Sequence, residues 1–330
     1  MKKVLITGGC GYIGSHIARA IKKDNDTNQV FVIDNHRRDH TLKNLNGYLI
    51  DDFASKQSLM WIESLEPHAI IHCAGSSSVG ESITNPADYY DNNISKTVKL
   101  LNHVKDFSTK PLIIFSSSAS VYGNPEQIPV IESTIKAPIS PYGFSKLVIE
   151  QALSDFYNAY ELPSICFRYF NAAGAEPFSY DLGEVPGTGH IIAKILEASL
   201  TKKQFVLNGN DYDTEDGTCI RDYVHVWDIA LAHVLALNWS LNNDIKSCSA
   251  FNLGSKNGIS NKQIVEYVST KYSLTDVATN GRRAGDPDKL IASADLAHSV
   301  LQWVPRHSSL EEIIDSAYQW YTNWYKTNDV

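Results

Sequence analysis

The sequence is poor in the residues that build disulfide frameworks and zinc sites. Its 330 residues include only five cysteines, an odd number, and no two of them form a C-x-x-C pair. We therefore expect neither a disulfide scaffold nor a metal site, and the predicted compartment is a reducing cytoplasm. The chain also lacks any apolar run of the roughly 20 residues that a membrane-spanning helix needs.

Positive charge is not in excess either. Lysine and arginine number 29 against 37 acidic residues, which gives a net charge of −8. A chain with this balance is not expected to bind nucleic acid or an anionic membrane surface. Any anionic ligand must instead be held by arginines placed locally against the overall field.

The first half of the chain alternates short apolar runs with longer helical patterns. The runs at 4–6, 30–33, 69–72, 112–115 and 164–170 have the length of strands and are rich in β-branched residues. Helical spacing is found at 13–21, 88–104 and 140–160. This alternation predicts an α/β fold of the Rossmann type, a doubly wound parallel sheet covered by helices on both faces.

This rhythm ends near residue 174, where a stretch rich in Gly, Pro and acidic residues predicts a loop. Strands are then predicted at 205–207 and 250–253, and helices at 226–238, 260–272 and 310–324. Ser260 and Gln263 have the spacing of a capping box. We predict a Rossmann domain over 1–173 and a smaller mixed α/β lobe over 174–330, with some interleaving of segments.

The stretch "TGGCGYIGS" follows the first predicted strand and begins the first predicted helix. Gly9, Gly11 and Gly14 spell G-x-G-x-x-G, which is typical of ordinary dinucleotide-dependent dehydrogenases. Gly8, Gly11 and Gly14 spell a second frame, typical of tyrosine-dependent reductases and epimerases. In either frame, backbone N–H groups and the positive helix end can hold a pyrophosphate. A tight turn without any ligand is the alternative.

Asp34 ends the second apolar run, twenty residues after Gly14. A carboxylate there accepts hydrogen bonds from the adenosine ribose and repels a 2′-phosphate, which favours NAD over NADP. Arg37 and Arg38 are the features that would favour NADP instead. Asp52 is expected to meet the adenine amino group.

Tyr142 and Lys146 lie four residues apart in "SPYGFSK" and so share one helix face. A free tyrosine has a pKa of about 10, and a nearby ammonium together with the positive nicotinamide ring would lower it into a useful range. Tyr267 and Lys271 have the same spacing. Only the first pair follows a serine run at a strand end, "FSSSASVYG", at the edge of the sheet where ligands bind.

These segments, with "VGES", "YYDNN", "RYFNAAGA", "GNDYDTEDGTCIRDYVHV" and "RRAGDPDKL", resemble the extended short-chain dehydrogenase/reductase family. The resemblance covers essentially the whole chain. The resemblance is most specific to the members that epimerise UDP-sugars at C4, because the "DYDTEDGTCIRDYVHV" stretch is particular to them.

The resemblance implies that Tyr142 is the base, Lys146 its electrostatic partner, and Ser118 the hydroxyl bonded to the sugar C4 oxygen. The implied contacts to NAD are Gly8, Gly11, Tyr12, Ile13, Gly14, Asp34, Asn35, Asp52, Phe53, Ala74, Asn92, Ser116, Tyr142, Lys146 and Tyr169. The implied contacts to the UDP-hexose are Ser118, Tyr142, Phe170, Asn171, His190, Arg221, Tyr223, Arg283, Asp286 and Leu290. In this frame Gly8, Gly11 and Gly14 are the working glycines, and Gly9 merely adjoins them.

The implied activity is NAD-dependent 4-epimerisation of UDP-galactose and UDP-glucose by a homodimer, with the cofactor unchanged at the end of each cycle. Leu290 aligns with a position whose bulk decides whether an N-acetyl group fits, so UDP-GlcNAc and UDP-GalNAc remain an alternative substrate pair. A UDP-sugar 4,6-dehydratase fits less well, because the acidic pair of that family is missing after the serines. The other reading is a non-catalytic NAD-sensing protein.

Overall fold

A computed structural model describes residues 2–243, 248–282 and 287–328. The strands are β1 Lys3–Thr7, β2 Gln29–Asp34, β3 Gly47–Ile50, β4 Ala69–His72, β5 Leu112–Ser118, β6 Ser164–Tyr169, β7 Asn171–Ala173, β8 Phe205–Asn208, β9 Ile220–His225, β10 Cys248–Leu253, β11 Gly258–Ser260, β12 Val277–Asn280 and β13 Lys289–Leu290. The α-helices are α1 Tyr12–Asp24, α2 Lys56–Leu65, α3 Val79–Thr84, α4 Pro86–Tyr89, α5 Lys96–Val104, α6 Pro141–Tyr160, α7 Ile191–Thr201, α8 Val226–Asn242, α9 Asn261–Tyr272, α10 Asp295–Leu301 and α11 Leu310–Thr327.

The central sheet has seven strands in the order β10-β6-β5-β4-β1-β2-β3. Every neighbouring pair in it is parallel. The order reverses between β1 and β4, and ligands of such sheets bind outside the carboxyl ends of the strands at that reversal. The predicted doubly wound α/β fold is confirmed.

Two separate apolar cores cover the two faces of this sheet. One packs α1 and α8 against β1 and β2, with Ile17, Val30 and Ile229 fully buried. The other packs α5 and α6 against the opposite face, with Leu100 and Ile149 at its centre. Strands buried on both faces have to be continuously apolar, and for this reason the strands could be predicted from apolar runs in the sequence.

The smaller lobe is built on β9. This strand pairs with β11, β13 and β7, while β8 and β12 form a separate parallel pair. Helices α7, α9 and α11 pack a third core against these strands. The capping box predicted at the start of α9 is confirmed, because Ser260 and Gln263 exchange both of its hydrogen bonds. Within the described residues, no helix is both long and apolar enough to cross a membrane.

Two features of the architecture differ from the alternation of strands and helices predicted for the first half of the chain. Strand β10 lies in the second half of the chain but is the seventh strand of the central sheet, beside β6. The central sheet therefore includes a strand from beyond residue 173. The helix predicted over 88–104 is interrupted, because residues Tyr90–Ser95 form a π-helical turn between α4 and α5.

Gly9 is more than a neighbour of the other glycines. A Cβ atom at this position would lie 2.6 Å from both Cγ atoms of Val32, which is fully buried in β2. Valine is stiff about its first side-chain torsion, so it cannot turn away easily. The prediction that Gly9 merely adjoins the working glycines is therefore wrong about packing. The missing side chain of Gly9 lets the glycine turn approach β2.

We predict that Gly9→Ala lowers the free energy of unfolding by about 1–3 kcal/mol through overpacking against Val32. Val32→Ala should then cost less in the Gly9→Ala background than in the wild type, as measured by urea unfolding of all four proteins. Gly281→Ala is the control, because a Cβ atom there meets nothing within 4 Å. Additive effects of the two substitutions would contradict the packing explanation.

Candidate active site

The glycine turn between β1 and α1 has the geometry of a pyrophosphate cradle. Gly8 has φ of +71°, and a Cβ at Gly14 would lie 2.3 Å from the Gly8 carbonyl oxygen. Gly11 is the N-cap of α1, and no side chain caps its first turn. The turn therefore leaves the helix N-terminus open toward an anion, and the predicted NAD pyrophosphate fits these residues.

The adenosine side of this cradle carries a fixed carboxylate. Asp34 Oδ2 accepts the Cys10 N–H at 2.9 Å, and Oδ1 accepts the His36 N–H at 2.9 Å. Arg37, which could have favoured a 2′-phosphate, is instead paired with Asp39 at 2.7 Å. These contacts fit the ribose of NAD better than that of NADP. Asn35 next to them is exposed.

Asp52 is already engaged by the protein. Its Oδ2 accepts Lys96 Nζ at 2.6 Å and its Oδ1 accepts the Ala54 N–H at 2.8 Å. Burial alone would raise the pKa of Asp52, but these hydrogen bonds outweigh it and hold the pKa below its usual value. The carboxylate is one-third exposed, so its contact with an adenine amino group stays a prediction. Phe53 is buried against His72, with ring centroids 4.9 Å apart.

The π-helical turn places two asparagines beside the nucleotide site. Asn92, the predicted cofactor residue, donates to Ser76 Oγ at 3.1 Å. Asn93, which the sequence did not single out, is buried and donates from Nδ2 to Ser76 O and to Ser145 Oγ, both at 3.0 Å. It thereby ties the loop after Ala74 to the helix that carries Tyr142 and Lys146. The only signal was its place in "YYDNN".

Tyr142, Lys146 and Ser118 are brought together where β5 ends and α6 begins. Lys146 is buried and donates from Nζ to the Ser116 carbonyl oxygen at 2.8 Å, and Nζ lies 5.7 Å from the Tyr142 ring centroid. Helix α6 begins there because Ser140 caps it, accepting the Gly143 N–H at 3.1 Å, and Pro141 occupies its first turn. Ser118 lies close enough to Tyr142 to influence the pKa of its phenol, and its own Oγ donates to Ser120 Oγ at 3.1 Å.

Burial dominates the electrostatics of this group. Burial lowers the pKa of Lys146 to about 8, and it raises the pKa of Tyr142 above its usual value more than the nearby Ser118 hydroxyl lowers it. The protein side chains alone therefore do not give the lowered tyrosine pKa that the sequence predicts. The positive nicotinamide ring is the further charge that this arrangement requires.

The competing pair, Tyr267 and Lys271, lies elsewhere. Lys271 bonds Asp315 at 2.6 Å, and the Tyr267 hydroxyl donates to the same carboxylate at 2.9 Å. The three residues join α9 to α11 on the outer side of the smaller lobe. Within the described part of the chain, their hydrogen bonds join two helices and do not reach the end of β5, so the identical spacing here forms a helix–helix contact.

A buried chain of hydrogen bonds supports Ser116. Burial lowers the pKa of His233 to about 4, so its ring is neutral at pH 7. Its Nδ1 donates to the Ile229 carbonyl at 2.9 Å, which leaves Nε2 to accept the Tyr169 hydroxyl at 2.8 Å. The Tyr169 oxygen is in turn 2.9 Å from Ser116 Oγ. The hydroxyl of Tyr169 is thus used within the protein, and its predicted contact with NAD is untested.

The β9 sheet gathers the predicted substrate residues. Asn171 on β7 pairs with Tyr223, and Leu290 on β13 pairs with Arg221. The Arg221 guanidinium is largely buried and donates to the Pro287 carbonyl at 2.7 Å. Arg283 and Asp286, also predicted to bind substrate, lie outside the described residues. Phe170 and Leu290 belong to one apolar cluster beside β5.

Two further residues complete this side. His190 is exposed at the start of α7 and bonds the Glu184 carboxylate, which raises the pKa of the imidazole. Asp222, missed in the sequence, lies between Arg221 and Tyr223, and its carboxylate accepts the N–H groups of Ser255, Lys256 and Ala292. It fixes the loop after β10 and the end of β13 against β9.

The remaining predicted cofactor residues line the turn itself. The Tyr12 hydroxyl donates to the Gly174 carbonyl at 2.6 Å, which joins α1 to the loop after β7. Ile13 packs against the core beneath it. Ala74 is so close to the turn that its N would lie 2.6 Å from a Cβ at Gly8. Among the described residues, no group of three or more His, Cys, Asp and Glu side chains could hold a metal ion.

Residues 4–254 match the model of the NAD dependent epimerase/dehydratase family. The chain belongs to that family. Among curated members it is similar to UDP-glucose 4-epimerase of Streptococcus mutans, at 40% identity over 99% of this chain and 98% of the relative. The resemblance predicted from the motifs is confirmed, and family membership accounts for the pairing of a glycine turn with Tyr142 and Lys146.

Solved structures of family members superpose closely. A UDP-glucose 4-epimerase from Brucella ovis in complex with NAD has a TM-score of 0.90 at 37% identity, covering 96% of this chain and 98% of the other. A UDP-Glc/GlcNAc 4-epimerase from Campylobacter jejuni has a TM-score of 0.83 at 35% identity, covering 98% and 100%. The family fold thus extends through both the sheet and the smaller lobe.

We predict that Lys146→Met stabilises the fold while it removes activity. The pKa of Lys146 is lower in the folded state than in the unfolded state, so its burial costs stability below pH 8, and this cost disappears as the pH rises toward about 10.5. For nucleotide-free protein at pH 7, the free energy of unfolding should rise by about 2–3 kcal/mol in urea titrations. A loss of stability at pH 7 would contradict this account. The gap between variant and wild type should close at alkaline pH.

Proposed function

We propose that this chain is an NAD-dependent UDP-galactose/UDP-glucose 4-epimerase. The observation that carries the proposal is the meeting of Tyr142, Lys146 and Ser118 at the carboxyl edge of β5. An open glycine cradle lies on one side of them and the Arg221 strand on the other. Family membership and the relatives named above support the same activity.

NAD, when bound, supplies a hydride acceptor and donor at the sugar C4. The protein has to remove and return the proton of the C4 hydroxyl, and Tyr142 is the group that can do so. Ser118 orients that hydroxyl through its hydrogen bonds, and Lys146 stabilises the phenolate. Because a phenolate is needed, a positive charge close to Tyr142 is a requirement of the chemistry.

Substrate affinity should reside in the nucleotide rather than in the sugar. Guanidinium groups suit a diphosphate by their fork geometry and fixed charge, and we propose this role for Arg221 and Arg283. We assign Asp286, Asn171 and Tyr223 to the same UDP-holding group, and His190 to its edge. A 4-keto sugar held only through UDP can turn over and present its opposite face, which inversion at C4 requires.

Leu290 supports a second substrate pair. It is half-buried in the apolar cluster with Phe170 and Tyr122. Leucine is smaller than the tyrosine that, by the family resemblance, closes the pocket at this position. The Campylobacter jejuni relative is described as acting on both glucose and N-acetylglucosamine forms. We therefore propose turnover of UDP-GlcNAc and UDP-GalNAc as an additional activity. A homodimer in the cytoplasm is the remaining part of the proposal, and sedimentation velocity tests the dimer.

To test the function, protein purified without added NAD is given UDP-galactose, and UDP-glucose formation is followed by proton NMR. We expect turnover, with NAD released on denaturation in near-equal amount to the protein. Tyr142→Phe should retain NAD and lose about 10²- to 10⁴-fold in kcat, because it lacks the proton-accepting oxygen. Bound NAD without turnover of any UDP-hexose would instead favour the NAD-sensing protein.

The substrate pair is tested by measuring kcat/KM for UDP-glucose and UDP-GlcNAc in the wild type and in Leu290→Tyr. The added bulk should reduce turnover of the N-acetylated substrate selectively, while glucose turnover changes little. Leu290→Met, which nearly conserves volume, is the matched control. Equal losses on both substrates would contradict a gating role for this side chain.

A further inference from the structure

A buried ion pair that the mechanism does not use lies directly behind the catalytic groups. Arg168 on β6 and Glu150 on α6 are 3% and 7% exposed, and Arg168 Nη2 is 2.6 Å from Glu150 Oε2. Arg168 Nε donates to Glu150 Oε1 at 2.9 Å, so the pair is bidentate. Ser117 Oγ donates to the same Oε1 at 2.5 Å. The carboxylate therefore joins three elements: β5, β6 and α6.

The position of Glu150 relates it to the reaction. It follows Lys146 by one helical turn, so both side chains lie on the face of α6 that packs on β5. On β5, the Ser116 carbonyl accepts Lys146 and the adjacent Ser117 hydroxyl binds Glu150. The next residue is Ser118. One carboxylate thus fixes the segment that presents all three proposed catalytic groups.

Arg168 is anchored independently on its other side. Its Nη1 donates to the Tyr122 hydroxyl at 2.7 Å and to the Glu132 carbonyl at 3.0 Å. The Tyr122 hydroxyl then donates to Asn252 Oδ1 at 2.7 Å. Because the guanidinium is held from two directions, it keeps Glu150 in place rather than following it.

Buried ion pairs often add little to the stability of a fold. Desolvation of both charges often cancels their attraction, and apolar residues of similar volume commonly serve the fold as well. A pair retained beside a buried lysine therefore calls for a function. We propose that Glu150, held by Arg168 and Ser117, is a positioning residue for the reaction that keeps the Lys146 ammonium charged beside Tyr142.

The groups around Lys146 make Glu150 the relevant anion. From β4 and the residue after it, His72 and Cys73 face the ammonium, and burial lowers the pKa of His72 to about 3 and raises that of Cys73 to about 11. Both are therefore neutral at pH 7. Burial is the largest influence on the pKa of Lys146 and lowers it, while Cys73 and then Glu150 act in the opposite direction.

Two further described neighbours of the catalytic group are phenols that carry no charge. Tyr142 on α6 and Tyr169 on β6 are neutral at pH 7 in the protein alone, because burial raises the pKa of each phenol. Arg168 is the cation that pairs with Glu150. Removing the carboxylate alone would leave the Arg168 charge without the Glu150 charge that balances it, whereas removing both charges would restore a balanced field.

The test is the pH dependence of kcat for UDP-galactose in the wild type, Glu150→Gln and the double variant Glu150→Gln/Arg168→Met. The alkaline limb reports loss of the Lys146 proton. We expect it to move about one pH unit lower in Glu150→Gln and to return to the wild-type position in the double variant. A purely structural role would lower kcat and leave the limb in place, which would overturn the proposal.

Arg168→Met alone provides the opposite charge change and covers the case in which Glu150→Gln does not fold. Its alkaline limb should move higher, and an unmoved limb would count against the proposal. Asp155→Asn is the matched control, because it removes a carboxylate from an exposed position on the same helix. Its profile should equal that of the wild type.

This inference rests on the proposed epimerase function, so a second readout needs no substrate. Lysine labelled with ¹³C at Cε is titrated by NMR, and the Lys146 resonance is identified by its absence from Lys146→Met. A lower titration midpoint in Glu150→Gln than in the wild type supports the coupling even if no UDP-hexose is turned over. Unchanged midpoints in an active enzyme would overturn the coupling and leave the proposed function intact.

Discussion

The site depends on one buried hydrogen bond, from the Lys146 ammonium to the Ser116 carbonyl at 2.8 Å. An ammonium taken out of water is costly, and the lowered pKa of this lysine expresses that cost. This desolvation cost is partly offset because the ends of β5 and α6 hold acceptors and compensating charges in fixed positions. The result is a positive group placed where a tyrosine has to lose its proton.

The rest of the molecule can be understood as support for this placement. The reversal of strand order between β1 and β4 opens the crevice, and the glycine turn brings a helix N-terminus to one side of it. On the other side, β9 holds Arg221 and Tyr223 in register with β13 and β7. Asp222 and the Arg168–Glu150 pair join these parts through buried carboxylates.

Some of this was open to prediction from sequence. The parallel strands and the helix carrying Tyr142 and Lys146 are set by local periodicity, and the decisive serines lie close to them along the chain. The place of β10 beside β6 in the central sheet, the π-helical turn and the role of Asn93 depend on tertiary contacts that no local pattern encodes. The partners of Asp222 and Arg168 are likewise 18 to 70 positions away along the chain, and a buried carboxylate looks in sequence like any surface acid. Several of the substrate residues came only from family resemblance.

The central claim is that these groups invert the configuration at C4 of a UDP-hexose, and that the hydrogen on C4 does not exchange with solvent. The most direct measurement uses UDP-galactose carrying deuterium at C4, with enzyme prepared without added NAD, and follows the product by NMR. The account predicts UDP-glucose that keeps the deuterium at C4, formed more slowly than from unlabelled substrate. Loss of the label to water would contradict it. So would equal rates for deuterated and unlabelled substrate, with cleavage of the bond between C4 and its oxygen.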